Sequence, residues 1–275
     1  MMKTSKLSLS VLAVATFLAC QREKVPSADV YVDAAFAAVL SGEVRSAGDG
    51  SHATRLDFYA FEEDGTPVPA LSRTGLEDFQ VEVSLLRGRT YHFLFLAHSA
   101  DGIVSVEDRT LVVDYSRVAG TEDADAFYAY QTYTVDSPFV ATVSLKRPFA
   151  QVNVAASAED VATAATLGVS LEGMTAILTF SGIGDRFDCV TGTVSGHADA
   201  VFSGIPGGTL TVDEVDYHLL ATAYVLPSDG AVAGFRAEVG AVRLARRFTD
   251  FDLGPNFQTN IVGHILTVGG ALCTE

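Results

Sequence analysis

Apolar and polar residues alternate with a period of two along most of the chain beyond residue 50. Residues 79–85 show it most cleanly: Phe79, Val81, Val83 and Leu85 share one side, Gln80, Glu82 and Ser84 the other. Successive side chains of a strand point to opposite faces, so this segment predicts a half-buried β-strand. Residues 55–61 group Leu56, Phe58 and Ala60 in the same way. Further strands are predicted at 91–97, 139–145, 149–155, 176–180, 217–226, 241–248 and 259–268. Asp64-Gly65, Arg87-Gly88, Asp101-Gly102, Gly207-Gly208 and Asp229-Gly230 punctuate them as turns. Many short strands so punctuated predict an all-β protein of antiparallel sandwiches. One stretch departs from this pattern. Ser157 to Asp160 resembles a capping box, and Val161, Ala164, Ala165 and Leu167 follow at helical spacing before Gly168. It predicts a single short helix on the outside of a sheet.

A body of roughly 245 residues fits two domains of about 120 better than one. The acidic, aromatic segment 121–135 ends at Asp136-Ser137-Pro138, and a new strand starts at Phe139. That places an N-terminal sandwich at 28–138 and a C-terminal one at 139–275, with no internal repeat evident.

The start of the chain has a different character. Lys3 and Lys6 precede a mainly apolar stretch over residues 7–18. A spanning helix needs about 20 apolar residues, so residues 1–19 read as a signal peptide. Phe17-Leu18-Ala19-Cys20 resembles a bacterial lipobox, which makes Cys20 the expected lipidation site and residues 20–27 a polar tether. The expected location is the outer membrane, held there by lipid. An ordinary secreted protein with an incidental Cys20 is the alternative.

Composition narrows the function. Apolar residues make up 48% and charged residues 19%, which excludes intrinsic disorder. With 18 basic and 34 acidic residues the net charge is −16, a balance that repels phosphate backbones and excludes general nucleic-acid binding.

The sequence carries no metalloprotease spacing, phosphate-binding glycine loop or Gly-x-Ser-x-Gly elbow, so it points to no catalytic residue and no cofactor. His92 and His98 share a strand face but lie about 20 Å apart at 3.3 Å per residue, too far to bind one metal. Glu122, Asp123 and Asp125 are the densest acidic cluster, for which a solvated loop is a simpler reading than a calcium site. Tyr128, Tyr130 and Tyr133 are candidate ligand-binding residues that offer stacking surfaces for sugar rings or a peptide. Alternation between core and rim of a strand is the competing reading. Asn153 and Asn260 fit cross-strand hydrogen bonds. Cys189 and Cys273 fit either a bridge or two separate buried thiols.

Several local patterns, in order, resemble the fimbrillin-like lipoproteins of anaerobic Gram-negative bacteria, a group containing type V pilus subunits and their anchors. The strongest is Gly254-Pro-Asn-Phe-Gln-Thr-Asn-Ile-Val-Gly263, similar to the family's late strand. Leu145-Lys-Arg-Pro-Phe-Ala-Gln-Val-Asn-Val154 resembles the start of its second domain, and Asp125-Ala-Phe127 matches more loosely. The resemblance implies two tandem transthyretin-like β-sandwiches, a structural or adhesive role and no catalysis. It implies pilus subunits as partners through β-strand complementation, in which loss of a first strand opens a groove for a neighbour's strand. Residues 30–40 are then the exchangeable strand and Arg45 the candidate processing site, although an unremarkable loop arginine is the simpler account of Arg45. After Thr267 only eight residues follow, about 26 Å at full extension, short for a donor strand. An anchor or accessory subunit is therefore expected rather than a stalk pilin. The alternative is a surface lipoprotein that binds a glycan or host ligand and never assembles.

Overall fold

The computed structural model describes residues 29–41, 50–100, 102–118, 123–249 and 251–274. The first half contributes β1 (Tyr31–Leu40), β2 (Arg55–Glu62), β3 (Arg73–Leu76), β4 (Gln80–Leu86) and β5 (Thr90–His98). It continues with β6 (Val104–Glu107), β7 (Thr110–Val113), β8 (Ala126–Thr134) and β9 (Phe139–Leu145). Sheets β4-β1-β9 and β3-β2-β5-β8 face each other. Their inward residues, among them Phe36, Leu56, Phe58, Leu85, Phe93 and Phe95, form one core.

The second half opens with β10 (Ala150–Ala156), α1 (Ala158–Thr166), β11 (Thr175–Ile183), β12 (Arg186–Asp188), β13 (Thr193–Ser195) and β14 (Ala198–Gly204). It then runs through β15 (Thr209–Val212), β16 (Val215–Val225), β17 (Val232–Val239), β18 (Val242–Phe248), β19 (Gln258–Gly263), β20 (Thr267–Val268) and β21 (Ala271–Leu272). Its main sheets are β15-β16-β10-β19 and β14-β11-β17-β18. The protein is thus all-β, two sandwiches in tandem, with one short α-helix in the second among the described residues. That helix starts where Ser157 Oγ accepts the Asp160 N–H at 3.1 Å, satisfying one otherwise orphan donor. It stops at Leu167 and Gly168, whose φ of 82° only glycine takes without strain.

The two sandwiches repeat one topology, which the sequence alone does not reveal. In each, the opening strand (β1, β10) lies between an antiparallel neighbour (β4, β16) and a parallel one (β9, β19) contributed by the last main strand. In each, the opposite sheet is built in matching chain order: β2, β3, β5, β8 in the first, and β11, β14, β17, β18 in the second. The sheets are therefore antiparallel except at these two pairings. Strand β9 pairs with β1 and buries Val143 and Leu145 in the first core. The division expected before Phe139 cuts that strand from its own sheet, and a division after Leu145 fits the packing.

Each sandwich also sends out a short hairpin, β6–β7 from the first and β12–β13 from the second. These pair edge to edge through β7 and β12, with Phe187 opposite Leu111, giving a four-stranded sheet shared by both halves. The composite sheet covers the outer side of β5 and β8, so Leu94, Leu96 and Tyr128 join Leu111 and Phe187 in a core continuous with the second sandwich. This explains the unbroken apolar run from Phe93 to Ala97: both faces of that strand are buried. Gly184 and Gly196 permit the tight hairpin. A side chain at Gly184 would strike Val194, and one at Gly196, where φ is +74°, would strike Asp185.

Candidate functional site

Strand β1 is the element on which strand exchange would depend. Its backbone pairs on both sides, antiparallel to β4 from Tyr31 to Ala37 and parallel to β9 from Ala34 to Leu40. Only Ala34, Phe36 and Ala38 are buried in the core. Phe36 supplies most of the hold, with its ring 5.2–5.8 Å from those of Phe58, Phe93, Phe95, Tyr133 and Phe139. Tilted and edge-on contacts of this kind add to the burial of the ring itself. The other face of β1 is open: Val39 is exposed, and a groove of about 750 Å³ runs over Ala35 between Glu82 and Val140.

The equivalent strand β10 is held differently. All seven of its residues are buried, and its outward polar side chains are tied across the sheet. Thr222 Oγ1 donates to Asn153 Oδ1 at 2.8 Å, and Asn153 Nδ2 donates to Asn260 Oδ1 at 2.9 Å. Gln151 Nε2 donates to the Tyr224 hydroxyl at 3.2 Å. The two sequence patterns around Asn153 and Asn260 therefore mark neighbouring strands joined by a side-chain ladder. Of two topologically equivalent strands, β1 carries a single exposed tie of this kind among the described residues, Ser84 Oγ donating to Asp33 Oδ1 at 2.7 Å, where β10 has three that reach both of its neighbours.

The candidate tyrosines are not brought to one surface. Tyr133 turns into the first core, stacked 5.3 Å from Phe139, and its hydroxyl donates to Gln131 Oε1. Tyr128 and Tyr130 face the opposite way, because residues of a strand alternate. Tyr128 is only 3% exposed, covered edge-on by Phe187 at 4.8 Å and approached by Lys146 Nζ at 5.1 Å from the ring centre. A stacking platform of three open rings is thus corrected to one half-buried ring, Tyr130, lying flat against His92 at 5.6 Å with its hydroxyl bonded to Arg109. Beside it a groove of about 360 Å³ lies between β8 and the turn joining β12 to β13; Lys146 and Thr191 also line it. Neither carries a local sequence signal for ligand binding, and Lys146 stands out in the sequence only as part of the Leu145–Val154 pattern.

The remaining candidates separate as follows. Cys20, Arg45 and Glu122 lie outside the described residues. Asp125 leaves the acidic cluster and turns inward to Arg147. No group of three metal-ligating side chains comes together among the described residues. Cys189 and Cys273 are both free thiols; burial pushes the Cys189 thiol up to about 12, so it stays protonated.

The geometry defines a tandem β-sandwich protein with duplicated topology and a shared junction sheet. A family model described only as a family of unknown function, DUF6562, matches residues 34–273, and the chain belongs to that family. No curated protein matches the sequence. Among solved structures, it is similar to a candidate adhesin from Bacteroides ovatus, with TM-score 0.52 and 11% identity, covering 88% of this chain and 91% of that one. A candidate adhesin from Bacteroides thetaiotaomicron gives TM-score 0.51 and 12% identity over 81% of each chain. A candidate polysaccharide-binding protein from the same species gives 0.51 and 11% over 78% of each. At such identities the likeness concerns the fold.

Proposed function

We propose that this protein is a lipid-anchored adhesive protein of the bacterial cell envelope, related to the fimbrillin-like lipoproteins, whose first strand can be exchanged for a partner's. The observation that carries the reading is β1: central in its sheet and backbone-paired on both sides, yet fully burying only Ala34, Phe36 and Ala38, with Val32 and Leu40 packed part-buried against the core. Removal of such a strand leaves two parallel rows of unpaired N–H and C=O groups on β4 and β9, the template that strand addition uses. The leader ending at Cys20 supports the anchor, and the names given to the structurally similar Bacteroides proteins support an adhesive role.

The direction of exchange is acceptance. Residues at the other end are engaged within their own sandwich: the Cys273 N–H donates to Leu266 O, the Ala245 N–H donates to Cys273 O, and Thr274 bridges Leu244. An anchor or accessory subunit fits this better than a stalk subunit. The test uses the full chain, nicked by an arginine-specific protease, with Arg45→Ala as the uncut control. A labelled peptide of residues 30–40 should enter the nicked protein and displace the native segment, while the control takes up none. Retention of the native segment through days of incubation with excess peptide overturns exchange.

A further inference from the structure

We propose that the groove between the two sandwiches binds a carboxylate-bearing sugar unit, with Lys146 as the group that meets the carboxylate. The argument is independent of strand exchange, because the groove is complete with β1 in place.

Charge points to the ligand's sign. The chain carries 34 acidic residues against 18 basic, yet none of the residues lining this groove is acidic. Four other surface grooves each carry at least one carboxylate: Glu82 over β1, Asp199 on the β14 side, Asp108 beside β2 and Asp229 near β13. Lys146 is the only lysine among the described residues, is exposed, and forms no ion pair with a described carboxylate. Cys189 in the groove wall is kept protonated by burial and adds no negative charge. An ammonium in a recess without an acidic lining residue favours an anion there. The Arg109 guanidinium bonded to Tyr130 adds positive charge, and the Asp188 carboxylate is occupied by the Val190 and Thr191 N–H groups.

Preorganisation and shape point to its class. The Lys146 backbone is locked to Tyr128 by two hydrogen bonds of 2.8 and 2.9 Å, and its ammonium rests over the Tyr128 ring. Tyr130 is fixed between His92 and Arg109. The groove lining also holds the hydroxyl residues Tyr130, Ser144 and Thr191, a residue type able both to donate and to accept. A volume of about 360 Å³ sits at the small end of the roughly 300–1,000 Å³ typical of ligand sites, so it suits one or two rings rather than an extended peptide. A polyhydroxylated ring with one carboxylate matches both the ammonium and these hydroxyls within so small a volume.

The experiment is calorimetric titration of the full chain with oligogalacturonate, a hyaluronan oligosaccharide and sialyllactose, each beside its carboxyl-reduced counterpart, and with an oligoglutamate peptide. At least one acidic glycan should bind, its reduced form about tenfold more weakly or worse, as expected for loss of a charge-assisted contact. Lys146→Gln should weaken binding by a similar factor with unchanged thermal melting, while Lys146→Arg retains part of the affinity. Bound glycan should also slow acetylation of Lys146, read by mass spectrometry. Equal binding of acidic and reduced forms, wild-type affinity in Lys146→Gln, equal binding of oligoglutamate, or no binding of any of the three at millimolar concentration each overturns the proposal.

Discussion

Arg147 and Asp125 form a two-pronged ion pair inside the protein, with Nε to Oδ1 at 2.6 Å and the second prong at 3.0 Å, and both side chains 1% exposed or less. Asp125 precedes β8 in the first sandwich, and Arg147 lies on the link to the second. The guanidinium also faces the ring of Phe127 at 4.4 Å and that of Tyr224, from β16, at 5.3 Å. Two short sequence patterns that look unrelated therefore meet at one point of the junction.

Removal of one partner deprives the other buried charge of this two-pronged contact. Arg147→Met should cost about 3–5 kcal/mol in urea denaturation at pH 7, and Asp125→Asn a similar amount. The double variant should recover much of the loss, since burying two neutral groups is far cheaper than burying one charge. A single-variant loss below about 1 kcal/mol would mean that water reaches the pair.

Phe36 is the main apolar hold on β1. Phe36→Ala leaves a void among five rings and should destabilise the first sandwich by about 3–5 kcal/mol. Val140→Ser, at a side chain 83% exposed, should change stability by less than about 0.5 kcal/mol. Hydrogen exchange separates this from a general effect: protection in β4 and β9 should fall in Phe36→Ala while protection in β10 persists.

His98 gives a pH signature. Burial disfavours its charged form, but the Asp57 carboxylate at 3.4 Å outweighs this and raises the imidazole above its ordinary value. Asp57 is likewise pushed up by burial, but the contacts to His98 and the Gly75 N–H prevail and lower it. The raised histidine stabilises fully below about pH 6.5 and loses that contribution as pH rises through its folded value. The lowered aspartate contributes above about pH 3.9 and loses its share as pH falls through its own folded value. The stability gap between wild type and His98→Gln should thus be widest near pH 5 and smaller at pH 8. A gap that grows towards pH 8 contradicts the pairing.

What the sequence made legible follows the reach of each signal. Alternation marked β2, β4 and β9, because Leu56, Val81 or Val143 contrasts sharply with its polar neighbours. It failed for β17, where Ala233, Gly234 and Ala237 give little contrast, and for β6, β7, β12 and β13, which at three or four residues are too short to show a period. The cap at Ser157 was readable, being a local hydrogen bond. The parallel pairing of β1 with β9, the shared junction sheet and the duplicated topology were not, since they join residues roughly 75 to 105 positions apart or depend on chain order in space. Asp125 shows the limit most sharply: its neighbours Glu122 and Asp123 suggest a wet acidic loop, and only the fold brings Arg147 against it.

Asp160 is a second buried charge, fully covered, and it fastens the described C-terminal residues to the second sandwich. Its carboxylate accepts the backbone N–H groups of Ile265 and Leu266 at 2.7 Å and of Thr267 at 2.9 Å, and the Thr267 hydroxyl at 2.6 Å. At the first turn of α1 the same charge also opposes the positive end of the helix. Asp160→Asn retains one acceptor oxygen but turns an amide NH2 towards backbone donors that then have no partner. Hydrogen bonds to charged groups contribute about 1.5–3 kcal/mol each, and a buried orphan donor adds to the loss, so Asp160→Asn should cost about 3 kcal/mol or more. Glu159→Gln, beside it on a side chain 82% exposed, should cost under about 0.5 kcal/mol. In hydrogen exchange the amides of Ile265, Leu266 and Thr267 should lose protection in Asp160→Asn well before those of β11. Uniform loss across the sandwich would instead make Asp160 a support of the helix alone, and the fastening of β20 and β21 would then rest on their own backbone pairing.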